Sequence, residues 1–94
     1  MEIEDLPGGD LIATGLADLR AGRMTSEGLL VAIASDRLQE AGIEVPPSSS
    51  SQTPEHALYR LLAAQDADSV HARYNALLRR LVSFERGLDH ARGR

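Results

Sequence analysis

The chain contains no cysteine, no tryptophan and no lysine. Without cysteine there is no disulfide staple, no thiolate metal site and no cysteine nucleophile. Aromatic residues make up 3% of the sequence and are confined to Tyr59, Tyr74 and Phe84. Sheets draw more heavily on aromatic and β-branched side chains than this. Leucine and alanine dominate instead, so composition favours an all-α fold before any periodicity is considered. No apolar run approaches the roughly 20 residues needed to span a bilayer. The opening Met1-Glu2-Ile3-Glu4-Asp5 is acidic where a secretory leader would be basic. The expectation is a cytoplasmic protein with no membrane partner.

What is present fits one domain. At 94 residues, with 43% hydrophobic content, the chain can build a single core, whereas two halves would each be too small to do so. Formal net charge is −4, and all ten basic side chains other than histidine are arginine. The codon bias of a GC-rich bacterial genome accounts for that choice, although arginine also suits bidentate pairing with carboxylate or phosphate.

Four helices are predicted in two hairpins. After the breaker cluster Leu6-Pro7-Gly8-Gly9, Asp10 can cap a helix to about Ala21, with Ile12, Leu16 and Leu19 on one face. Thr25 or Ser26 caps a second helix reaching Ala41, where Gly42 stops it. Its stretch Leu29 to Ala34 is apolar nearly all round, as expected for the central helix of a core. A Pro/Ser-rich linker over 46–52 then separates hairpin 10–42 from hairpin 53–91. Thr53-Pro54-Glu55 starts the third helix, which runs to Gln65. Asp68 is positioned to cap the last, from Ser69 to Ala91. The fold class is therefore an all-α four-helix bundle, a single domain over 1–94 with a long C-terminal helix.

That last helix carries the clearest pattern. Val70, Tyr74, Leu77, Leu81, Phe84, Leu88 and Ala91 alternate spacings of four and three, the seam of a heptad repeat. At about 34 Å it is too long for the preceding helix to cover. The remainder of the seam must meet the first hairpin, a second copy or another protein. Leu78 and Val82 lie off the seam, and become the natural contacts if the seam is internal. Arg73 and Arg80 flank it. Partner binding is accordingly assigned to Arg73, Tyr74, Leu78, Arg79, Arg80 and Val82. Arginines gather after Asp66 and acids before it, a distribution that suits internal charge pairing or an acidic partner.

Catalytic signals are sparse. His56, His71 and His90 do not form the i, i+4 histidine pair of a zinc helix, and no metal or cofactor is expected. Asp66 and Asp68 read as capping residues, because two carboxylates in a turn make a poor cation site. The tight Gly22 to Thr25 connection could serve a helix-turn-helix, but the helix after it opens apolar where base-reading side chains would be needed. Arg86 and His90, four apart, share a face and could bind a phosphate and move a proton. This pair resembles the HEPN-type helical ribonucleases, small α-bundles with an arginine, a spacer of four to six residues and a histidine on a late helix. Here the spacer is only Gly87-Leu88-Asp89. The resemblance implies RNA cleavage or binding through Arg86 and His90; the net charge opposes a nucleic-acid partner and the local arginines permit one. The leading expectation is a non-catalytic interaction or accessory module that self-associates through its last helix as a homodimer, or binds a companion protein.

Overall fold

In the computed structural model, residues 3–46 and 53–91 are described. Most of the expected linker, positions 47–52, lies outside them, as do Arg92 and Arg94. A 3-10 turn at Ile3–Asp5 precedes α1 (Gly9–Arg20), α2 (Ser26–Ile33), α3 (Ser35–Glu40) and α4 (Pro54–Gln65). A second 3-10 turn, Ala67–Ser69, leads into α5 (Val70–Ala91). The fold is all-α, with five α-helices among the described residues where the sequence predicts four.

The extra helix comes from a break at Ala34, whose backbone (φ −91°, ψ 9°) leaves the α-helical basin. Its N–H is shared between the carbonyls of Leu30 (3.3 Å) and Val31 (3.1 Å), the tightening that closes a helix. Ser35 and Asp36 follow, side chains that compete with the helical backbone for hydrogen bonds. The resulting bend lets Leu38 reach full burial with Leu30 and Val31.

Helix starts follow the capping chemistry with two corrections. Thr53 accepts from the His56 N–H, with Pro54 in the first turn, as the sequence implies. At the head of α1, however, the cap is Gly8 (φ 73°) and not Asp10. A Cβ at Gly8 would lie 2.7 Å from the Arg80 carbonyl oxygen, so the backbone there passes against the middle of α5. The Asp10 carboxylate instead bonds Arg80 across the molecule at 3.0 Å. Before α5, Asp66 rather than Asp68 does the capping, accepting from the Asp68 N–H (3.2 Å) and the Ser69 hydroxyl (2.8 Å).

The α1–α2 connection is locked by Asp18, which is only 8% exposed. The Thr25 hydroxyl donates to its Oδ2 at 2.6 Å, and the Arg23 guanidinium donates to Oδ1 at 3.0 and 3.2 Å. Thr25 Oγ1 also accepts from the Gly28 N–H, so one cluster caps α2 and ties it to the end of α1. The Thr25 hydroxyl first, and Arg23 second, hold the Asp18 carboxyl below the usual carboxylate range. A depressed folded-state pKa stabilises above the unfolded value near 3.8, and that contribution disappears as pH falls through the folded value. The urea midpoints of wild type and Asp18→Asn, followed from pH 7 to pH 3, are therefore expected to be separated at neutral pH. The separation should shrink as pH falls below about 4.

The core centres on α2, whose Leu29, Leu30 and Val31 are buried with Ala34. It packs against α1, α4 and α5. On α5, Val70, Leu81, Phe84 and Leu88 are buried while Tyr74 and Leu77 are half-buried. The seam is thus internal, and its far half is covered by the start of the same chain. Gly87 lies against Pro7 and Leu6, and Gly8 lies beside Phe84. Two exposed ion pairs, Arg80 to Asp10 (3.0 Å) and Arg37 to Asp89 (2.7 Å), tie α5 to α1 and α3. Pairs this exposed contribute about 0–1 kcal/mol each. They select the packing more than they stabilise it.

Candidate interaction face on the last helix

The six residues assigned to partner binding fall into two groups. Arg73, Tyr74 and Arg80 are engaged within the chain. Arg73 donates to Gln65 Oε1 at 2.9 Å, and Arg80 is held by Asp10. The Tyr74 ring packs edge-on to Tyr59, centroids 5.4 Å apart. His71 meets Tyr59 in the same way, so one aromatic cluster seals the α4–α5 connection. This is the region where the short α4 does cover the seam.

Arg79 and Val82 look outward, and Leu78 is half-buried at the edge of the core. With Asn75, Ser83 and Arg86 they line a shallow open depression along α5. The cause is geometric. Steps of three and four place Asn75, Arg79, Val82, Ser83 and Arg86 on the side of the helix away from the buried seam, with Leu78 at its edge, packed partly against the core. Val82 is 43% exposed, high for a β-branched apolar residue, and half-buried Leu78 sits one turn before it. Among the described residues neither Arg79 nor Arg86 has a hydrogen-bond or ion-pair partner, in contrast to Arg73 and Arg80. The face therefore combines uncovered apolar surface with uncommitted cationic side chains. Asn75 and Ser83 were not anticipated from the sequence, since a polar residue on a helix exterior carries no periodic signal of its own.

Arg86 and His90 share this side of α5, as a spacing of four requires. Both are exposed. General acid–base work needs a proton-transfer group held in position, and His90 is an exposed residue in the last turn of α5. All three histidines are exposed, and among the described residues there is no cluster of three or more His, Asp or Glu side chains able to hold a metal ion. Asp66 is committed to its cap. No described helix is long and apolar enough to cross a membrane.

A second, smaller groove runs between α5 and the starts of α1 and α2. Leu11, Leu77 and Ala76 contribute its apolar surface, with Ser26 and Glu27 facing Arg73 and Arg80 at the rim. Its charges are mixed, and Arg73 and Arg80 already have partners. Comparison with protein-family models, with curated proteins and with solved structures finds no match.

Proposed function

We propose that the protein is a non-catalytic helical interaction module that associates with itself through the outward face of α5. It would act as a cytoplasmic accessory protein, built as one domain of two helical hairpins, 10–42 and 53–91. The observation that carries the proposal is the exposure of Val82 beside Leu78, between two arginines that have no partner among the described residues, on a helix whose other large apolar side chains are buried or half-buried. Contact falls on Leu78, Arg79 and Val82. Arg73, Tyr74 and Arg80 contribute from within the chain by holding α5 in place.

Light scattering over a range of concentrations tests this. Wild type is expected to rise from the mass of one chain toward that of two. Val82→Asp should remain at one chain while keeping a wild-type helical circular dichroism spectrum. A wild type that stays monomeric at every concentration refutes the proposal.

The ribonuclease-like alternative rests on Arg86 and His90, exposed and on the same side of α5. It requires that the purified chain cleave RNA and that Arg86→Ala and His90→Ala each abolish cleavage. RNA binding without cleavage would show instead as an affinity that falls steeply with salt.

A further inference from the structure

We draw no further inference here: the strongest candidate, the groove between α5 and the starts of α1 and α2 whose apolar surface comes from Leu11, Ala76 and Leu77, carries none, because its rim arginines, Arg73 and Arg80, are already held by Gln65 and Asp10 and nothing in the structure shows what covers it.

Discussion

Phe84→Ala is expected to cost about 3–5 kcal/mol, the largest loss from any single side-chain truncation in this chain. Domains of this length have total stabilities of about 5–14 kcal/mol, so the variant should lose about a fifth of the whole or more. Phe84 is the largest of the fully buried side chains. It stands where α5 meets the segment entering α1, with Gly8 against its Cβ. Truncation removes the ring's contacts and also leaves a cavity, because the surroundings cannot collapse freely: one wall is helix backbone and another is a glycine with no side chain to move inward. Phe84→Leu, which keeps most of the volume, should cost much less. The measurement is the urea midpoint at constant m-value. A loss below about 1 kcal/mol for Phe84→Ala would mean that the chain start does not seal this part of α5.

The parts of the fold that could be read from the sequence are those whose cause is local. The 22 residues of α5 declare themselves because a long helix with one buried stripe must repeat its apolar residues at threes and fours. Thr53-Pro54-Glu55 does so because a cap acts within its own first turn. The break at Ala34 was not legible. Leu29 to Ala34 is apolar on all sides, so periodicity runs through it without interruption, and the bend exists to bring Leu38 into the core. The cap at Gly8 was missed for a related reason. Asp10 has the right side chain to cap a helix, but Arg80, seventy positions away in sequence, claims its carboxylate.

The same division applies to the interaction face. Leu78 and Val82 could be singled out because they are apolar and fall off the seam. Whether Arg73, Tyr74 and Arg80 faced a partner or the chain's own core could not, since flanking the seam is compatible with both. Within the chain they meet Gln65, Tyr59 and Asp10, which come from other elements.

Gly15→Ala is expected to destabilise the protein even though alanine is the best helix former and glycine among the worst. In an exposed helix interior the change would gain about 1 kcal/mol. Here Gly15 is buried where α1 crosses α2, and an added Cβ would lie 2.5 Å from Val31 Cγ2 and closer still to the Glu27 carbonyl oxygen. Relief requires α1 and α2 to separate, because one obstacle is helix backbone and the other is a β-branched side chain in the centre of the core. Overpacking of this kind costs about 1–3 kcal/mol and occasionally more, so steric cost outweighs the propensity gain. Gly9→Ala tests the reasoning by contrast. Its Cβ would overlap the Ile3 carbonyl oxygen more severely. Ile3 belongs to a three-residue turn at the start of the described chain, which packs on the edge of the core and shifts more readily than two helices crossing at its centre. The expected order of urea midpoints is therefore wild type above Gly9→Ala, and Gly9→Ala above Gly15→Ala, with Gly15→Leu lowest. If Gly15→Ala matched or exceeded wild type, α1 and α2 could not approach as closely as described, and the packing of the central helix would need to be redrawn.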